Sequence, residues 1–336
     1  MHVNSDSCAK RTYVILLNWN GASDTLQCLR SLQSIASTEI VFVICDNNSK
    51  TVDFALLKSG VIALCNAITT DFHCFTSIDK GEFYADGTSN RAVVLIQTGA
   101  NLGFAGGVNV GLRFAISQGD MASAWVLNND CEVDPEALEA MQARMAQSPN
   151  IGICGSTLLY HGERTCVQAF GGAQYLPWRG RSLSIGAFSA ADAIPSDHAP
   201  VERQMDYVVG ASMLVSRRFL DVVGLMDERY FLYSEEHDWA HRGRQAGFTL
   251  GWAPGSLVFH KHGASIGSSA SGGSPLSIFY LYRSKALFTA LHFRKRMPVV
   301  LLSLAWDALK LAIKGHPGKT KAALRGLMSF DRPARD

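Results

Sequence analysis

Ala124-Trp125-Val126-Leu127-Asn128-Asn129-Asp130 is a run of four apolar residues closed by two amides and a carboxylate. The apolar part reads as a buried strand, and Asp134-Pro135 just beyond it predicts a helix start, so Asp130 falls at a strand's carboxyl end. Open α/β sheets hold their ligands there. A hard divalent cation takes oxygen ligands and keeps waters while bridging substrate phosphates, so one carboxylate beside an amide can be protein enough for it. An Asx-rich strand-to-helix turn would be written with the same residues. The flanking segments have to decide between the two.

Toward the N-terminus, Tyr13 to Leu17 is an apolar run ended by Asn18-Trp19-Asn20-Gly21, and Ile40 to Cys45 is a second one ended by Asp46-Asn47-Asn48-Ser49. A helix-length segment separates them, with Ser23 or Asp24 as candidate caps. Two strands joined by a helix and ending in polar loops give a parallel sheet with its loops on one edge. Cys65 to Arg91 has no clear period and reads as an irregular excursion with room for short strands. Ala92 to Gln97 resumes the sheet. Asn101 to Gly111 then reads as a glycine-rich loop entering a helix that runs through Ser117, suited to close backbone approach by a ligand. Its spacing is not the dinucleotide fingerprint, so no nicotinamide cofactor is implied.

Toward the C-terminus the pattern predicts a helix from Pro135 to Gln147, a strand from Ile151 and a Gly/Ser/Ala/Pro-rich loop over the site from Phe170 to Pro200. A strand from Tyr207 to Val215 follows, interrupted at Gly210. After a short helix from Arg217 to Val223 comes the acidic cluster Glu235-Glu236-His237-Asp238, which opens a helix reaching Ala246 with Gly247 as its cap. Two short strands, Leu250 to Ala253 and Leu257 to His260, lead to a Gly/Ser-rich loop from Gly263 to Ser274. Helical spacing resumes from Leu276. Pro298 opens a helix in which Ser303, Asp307, Lys310 and Lys314 form a polar stripe on an otherwise apolar run to Ile313.

The chain has 336 residues, 47% of them hydrophobic, enough for one large domain or two ordinary ones with a real core. Eight cysteines without a C-x-x-C pair, and a polar start with no apolar stretch of signal-peptide length, lead to the expectation of a reducing, cytosolic setting. The net charge of +2 hides an asymmetry: from Arg283 onward twelve Lys and Arg stand against three Asp, giving +9, so the first 282 residues carry −7. Such a basic end faces something anionic. No nucleic-acid-binding pattern is visible, and the apolar helix beside the charges favours peripheral contact with a membrane surface over a nucleic acid, with packing on the domain as the alternative. That helix is too short and too charged to span a bilayer.

Taken together, V-I-L-L-N-W-N-G (14 to 21), C-D-N-N-S (45 to 49), N-L-G-F-A-G-G-V-N-V-G (101 to 111), L-N-N-D (127 to 130), G-A-S-M-L-V (210 to 215), E-E-H-D-W (235 to 239), H-K-H-G-A-S (260 to 265) and Y-L-Y-R (280 to 283) occur in an order that resembles the family 2 inverting glycosyltransferases of the GT-A fold, in their rhamnosyltransferase-like branch. The resemblance implies an α/β fold with a mixed, mostly parallel sheet flanked by helices. It covers about residues 12 to 290 and points to a catalytic domain over residues 1–275, while charge and helical spacing mark a basic, amphipathic helical region over 276–336. It also implies a nucleoside-diphosphate sugar donor, dTDP-rhamnose or a UDP-sugar, and a glycan or polyprenyl-diphosphate-linked acceptor in cell-surface polysaccharide assembly.

Residue by residue, the resemblance implies that Asp46 bonds the nucleotide base and that Leu17, Asn18, Asn20, Asn101 and Gly103 shape the nucleoside pocket. Asn128 and Asn129 stand with Asp130 where the family carries its D-x-D element. Asp130, completed by His260, would hold Mg²⁺ or Mn²⁺ against the diphosphate, with Arg283 as a further phosphate contact. Glu236 aligns with the catalytic base, where the family more usually has Asp. Glu235 and Asp238 stay open as alternatives for the base and, with Gly210 and Trp239, as acceptor contacts. Trp178, Tyr207 and Trp239 are candidates for stacking on a sugar ring. Two rivals are a degenerate glycan- or lipid-binding module and a sugar-nucleotide pyrophosphorylase. The latter lacks its Gly/Arg-bearing N-terminal loop here.

Overall fold

The computed structural model describes residues 11–36, 39–67, 71–75, 91–261 and 273–331. The first half alternates strands and helices: β1 (Arg11–Asn18), α1 (Ala22–Leu32), β2 (Ile40–Asp46), α2 (Thr51–Ala67), β3 (Asp71–Phe75), β4 (Arg91–Gln97), α3 (Gly103–Ser117), β5 (Met121–Asn128), β6 (Cys131–Val133), α4 (Ala137–Ala146) and β7 (Ile151–Tyr160). There follow β8 (Glu163–Phe170), β9 (Gly172–Leu176), β10 (Arg181–Ser184), α5 (Ala199–Glu202), β11 (Tyr207–Val208), β12 (Ser212–Ser216), α6 (Arg217–Val223), α7 (Glu235–Gln245) and β13 (Thr249–His260). Three helices close the chain: α8 (Pro275–His292), α9 (Met297–Ile313) and α10 (Pro317–Met328).

The main sheet runs in the order β3-β4-β2-β1-β5-β12-β7-β13-β6, with β8 paired to β7. Strands β3, β4, β2, β1 and β5 are parallel, while β12 enters antiparallel between β5 and β7. The mixed, mostly parallel sheet with flanking helices and a helical C-terminal part is the expected fold class. Register decides where function can sit: Asn18 pairs with Asp46, and Leu17 with Asn128, so the polar ends of three adjacent strands share one edge.

Alternation along each strand feeds two cores. Ile15, Val43 and Ile96 pack with Val108 and Leu112 of α3 on one face, while Val14, Leu16 and Ile44 pack with Leu26 and Leu29 of α1 and Leu57 of α2 on the other. A third cluster, Ile278, Tyr282, Val300, Leu304, Ala308 and Ala323, joins α8, α9 and α10.

Several local expectations are corrected. The glycine-rich segment is helical from Gly103 on. A Cβ at Gly111 would lie 2.6 Å from Ile15 Cγ2 and 3.0 Å from the Cys45 sulfur, so this glycine lets α3 settle onto the sheet and approaches no ligand. Ser23 and Asp24 lie inside α1, whose N-cap is Gly21. The presumed loop from Phe170 to Pro200 contains β9 and β10, which form a three-stranded sheet with β11. Gly210 does mark an interruption, but a larger one, since β11 belongs to that small sheet and β12 to the main one. The two short strands near the C-terminal end of the sheet are one strand, β13, with an irregularity between Ala253 and Leu257. In the 65–91 excursion, α2 extends to Ala67 and β3 supplies a short strand, and the remainder lies outside the described residues, as do His262 and the loop over 263–272.

Replacing Gly111 by Val should cost about 2 kcal/mol, the scale of overpacking a tight core. Urea unfolding followed by circular dichroism should show a lower midpoint with an unchanged slope.

Candidate active site

The carboxyl edge of β2, β1 and β5 is tied by a chain of side-chain hydrogen bonds. Asn129 Nδ2 donates to Thr25 Oγ1 (2.9 Å), Thr25 Oγ1 to Asn18 Oδ1 (2.8 Å), and Asn18 Nδ2 to Asp46 Oδ1 (2.8 Å). Asn18 and Asp46 are fully buried. The far oxygen of Asp46 accepts from the Ser49 backbone N–H (3.2 Å), and Asn20, at φ 53°, accepts from Lys50 N–H (2.9 Å). Asn18 and Asn129 therefore build the floor of the site, and their amides are already engaged.

Beside this floor Asn47 clips the next loop in place. Its Nδ2 donates to Asn101 Oδ1 (2.9 Å) and to the Gly103 carbonyl (3.0 Å), and its Oδ1 accepts from Leu102 N–H (3.0 Å). Gly103, at φ +70°, passes so near Phe231 that a Cβ would lie 2.1 Å from its carbonyl oxygen. Leu17 is half-buried against Gly107 of α3. The residues expected to shape a nucleoside pocket are thus brought together at one edge.

Asp130 follows β5 in the turn into β6, and β6 pairs with the end of β13 so that Cys131 stands opposite His260. Asp130 Oδ1 and His260 Nε2 are 3.3 Å apart, and Asn128 Nδ2 is 3.4 Å from the same nitrogen. Gln168 of β8 meets His260 Nδ1 at 3.0 Å, which orients the ring with Nε2 toward the carboxylate. A carboxylate oxygen and an imidazole nitrogen at that distance, on residues only 5–7% exposed, are the donor types that hold a divalent cation. Asp130, Cys131 and His260 each offer a ligand atom within 4.8 Å of the others. Burial, reinforced by the Asp130 charge, holds the Cys131 thiol well above its usual range, so the carboxylate and the imidazole are the better donors.

The carboxylates of α7 occupy three different environments. Asp238 is held by Arg242 Nε (2.7 Å) and His292 Nε2 (2.6 Å) and is 1% exposed, which removes it as a base or an acceptor contact. Glu235 is buried, with Oε2 unpartnered, and desolvation followed by the Glu236 charge raises its pKa well above the usual carboxylate range. Glu236 has a side chain 17% exposed and faces Gly210, where a Cβ would stand 3.9 Å from its carboxyl carbon. The residue after Gly210 accepts the Asn128 N–H at 2.9 Å, so Glu236 and the Asp130 loop converge through two consecutive residues.

His237 Nδ1 lies 3.6 Å from Glu236 Oε1, too long for a hydrogen bond, while its Nε2 meets Ser182 Oγ at 2.9 Å and its ring stacks on Tyr207 at 3.7 Å. Behind it opens a cavity of about 420 Å³ walled by Tyr175, Tyr207, His237, Phe288 and Phe293, with Asp206 and Arg244 also lining it. Tyr207 thus borders open space. Trp239 does not: it is fully buried and donates to the Gly224 carbonyl (2.9 Å), a core residue unavailable to a sugar. Arg283 is 2% exposed and donates to the Arg229 carbonyl (2.8 Å), which puts its guanidinium in the interior instead of at the open edge. Sequence reading missed Thr25, Gln168 and Ser182 and gave Asn47 no role of its own within C-D-N-N-S; all four act on the site through other side chains. An isolated Gln or Thr in a strand or helix carries no motif that would mark it.

Comparison with known proteins gives a consistent result. The family described as Glycosyl transferase family 2 matches residues 80–167. The low-salt glycan biosynthesis hexosyltransferase Agl10 of Haloferax volcanii is 27% identical over 163 residues, covering 48% of this chain and 50% of that protein. An N-acetylglucosaminyl-diphospho-decaprenol L-rhamnosyltransferase of Mycobacterium tuberculosis is 28% identical over 204 residues, covering 54% of this chain and 65% of that one. The match therefore spans less than two thirds of either relative. Among solved structures, the mannosyltransferase PcManGT from Pyrobaculum calidifontis, in complex with GDP-Man and Mn2+, superposes with a TM-score of 0.56 at 12% identity, over 97% of this chain and 88% of that one. GalNAc-T7 with UDP, GalNAc and Mn2+ gives 0.55 at 13% identity, over 95% and 55%. These likenesses establish the shared fold.

A raised carboxyl pKa means that folding favours the protonated form, so its contribution to stability is complete below the unfolded value and fades as pH rises through the folded one. Glu235→Gln should therefore remove a stability loss that the parent protein suffers on going from pH 5 to pH 8. Thermal melts at the two values should show a smaller difference between them in the variant.

Proposed function

We propose that this chain, which carries a glycosyltransferase family 2 domain on a GT-A fold, is an inverting hexosyltransferase. It would move a sugar, rhamnose in the first instance, from a nucleoside-diphosphate donor to a glycan or lipid-linked saccharide. The observation that carries this reading is the convergence of Glu236 and the Asp130–His260 pair across Gly210 and Ala211. A general base and a diphosphate-side cation site must both reach one anomeric carbon, and a single short segment separates them here.

The nucleoside would rest on the Asp46 edge beside Asn101 and Gly103. Asp130 and His260 would hold a divalent cation, Mg²⁺ or Mn²⁺, which when bound offsets the charge of the departing diphosphate. Glu236 takes the acceptor hydroxyl proton as the oxygen forms its bond to the anomeric carbon. The bond from that carbon to the phosphate oxygen breaks on the opposite face, and its electron pair leaves with the diphosphate. Burial, followed by the neighbouring Glu236 charge, raises the Glu235 pKa, which disfavours a second full charge beside the base. The aromatic cavity behind His237 would seat the acceptor ring, with Tyr207 as its platform. Rhamnose and a polyprenyl-diphosphate acceptor are supported by the name of the mycobacterial relative, and a UDP-sugar remains the donor to test beside dTDP-rhamnose. Such an acceptor would bring the enzyme to the cytoplasmic face of a membrane.

Asp130→Ala and Glu236→Gln should each lower transfer at least ~100-fold, the scale of losing electrostatic or acid–base assistance. The measurement is the initial rate from a panel of dTDP- and UDP-sugars to an N-acetylglucosaminyl-diphospho-lipid, with circular dichroism confirming the fold. Full activity in both variants would sink the assignment. Chelation with EDTA should abolish transfer, and Mn²⁺ or Mg²⁺ should restore it.

A further inference from the structure

We propose that the outward face of α9 is a docking surface for an anionic lipid bilayer. Val299, Leu302, Trp306, Leu309 and Ile313 are 45–73% exposed. At ~100° per residue they fall within an arc of about 80°, one continuous apolar stripe. The inner face is separate: Val300, Leu304 and Ala308 are buried against α8 and α10. The polar stripe that the sequence suggests is not the most outward side of the helix. Ser303 donates to the Arg179 carbonyl (3.4 Å) and Asp307 pairs with Arg181 (2.6 Å), so that edge of α9 lies along the β9–β10 hairpin and leaves the apolar stripe outermost.

Charge identifies the occupant. Lys310 of α9, Lys314 just past its end, and Lys321 and Arg325 of α10 are exposed. Asp307, the acid of α9, is already matched by Arg181 and by Lys310 (3.2 Å). The Lys310 ammonium lies 5.6 Å from the centre of the Trp306 ring, so apolar surface and cation are presented together. At the other end Trp178, 59% exposed, carries the Arg296 guanidinium 4.6 Å above its ring. A soluble protein partner or a second copy could cover the stripe, but an apolar stripe fringed by Lys314, Lys321 and Arg325, with Trp178 at one end, is what anionic headgroups complement. The seventeen residues of α9 would lie flat over ~25 Å. No helix among the described residues is long and apolar enough to cross a membrane, consistent with docking in the interface. The same Arg296 sits 5.4 Å from the Phe293 ring, a wall of the aromatic cavity, so the docking face and the cavity share a border. This inference goes beyond the catalytic reading and stands on exposure and charge alone.

The test is sedimentation of the full chain with phosphatidylcholine vesicles, with and without phosphatidylglycerol. The parent protein should pellet with the anionic vesicles at least ~tenfold more than with the neutral ones, since area and charge both contribute. Leu302→Glu combined with Trp306→Glu, and separately Lys310→Glu with Lys314→Glu, should each reduce anionic binding at least ~tenfold. Thermal stabilisation by UDP with Mn²⁺, compared between parent and variants, separates loss of docking from loss of fold, and transfer to a water-soluble acceptor should be retained. The inference is overturned if the parent binds neither vesicle or the variants bind equally. It is also overturned if sedimentation without lipid reveals a dimer that the Leu302/Trp306 variant abolishes, which would assign the face to a second copy.

Discussion

The hydrogen-bond chain from Asn129 through Thr25 and Asn18 to Asp46 is the constraint on which the site depends. Each bond in water would be worth about 1 kcal/mol net, but leaving a buried partner unsatisfied costs about 1–3 kcal/mol. Asn18 and Asp46 are buried without solvent to substitute, so the chain is all-or-none in character. It fixes the ends of β2, β1 and β5 relative to the start of α1. The Asp130 turn then emerges from a rigid edge, and β13 brings His260 to it from the other side.

Electrostatics differentiates three acids that the sequence presents as equivalents. They open one helix within four residues, yet one is held by an arginine and a histidine, one is buried with its pKa raised, and one faces Gly210. The helix N-terminus favours acids in general, but it does not choose among them. The choice comes from α8, which supplies His292, and from the β11–β12 crossing, which supplies the glycine.

Much of the fold was legible because apolar runs of strand length end sharply in Asn and Asp, a pattern that survives without any tertiary information. The polar edge of the sheet and the positions of Asp130 and Asp46 follow from it, whereas Glu236 was singled out only by the family resemblance. Where the reading failed, one residue type served two physical ends. Gly107 and Gly111 were read with their neighbours as ligand approach, while a Cβ at either would meet side chains of the sheet, so they serve helix–sheet packing. Trp239 and Arg283 carry groups that bind sugars and phosphates well, but the fold uses one as core and the other as a tether to a carbonyl. Burial at such positions is set by elements far away in sequence. The small sheet of β9, β10 and β11 was missed because its short strands alternate weakly and are rich in Gly and Ser, the composition of a loop.

The turn into α7 gives the chain's two parts a mechanical relation. Tyr233 and Ser234 both hold left-handed backbone, at φ 69° and 68°, a conformation that costs a non-glycine residue about 1–2 kcal/mol each. Three grips from α8 oppose that tendency to unwind: Arg283 on the Arg229 carbonyl, Ser284 on that of Leu232 (2.7 Å), and Ser277 on the Tyr233 hydroxyl (2.7 Å). Helix α8 thus pins the turn that precedes Glu235 and Glu236. The backbone just before Glu235 and Glu236 is therefore held by bonds reaching from α8, a helix some fifty residues further along the chain.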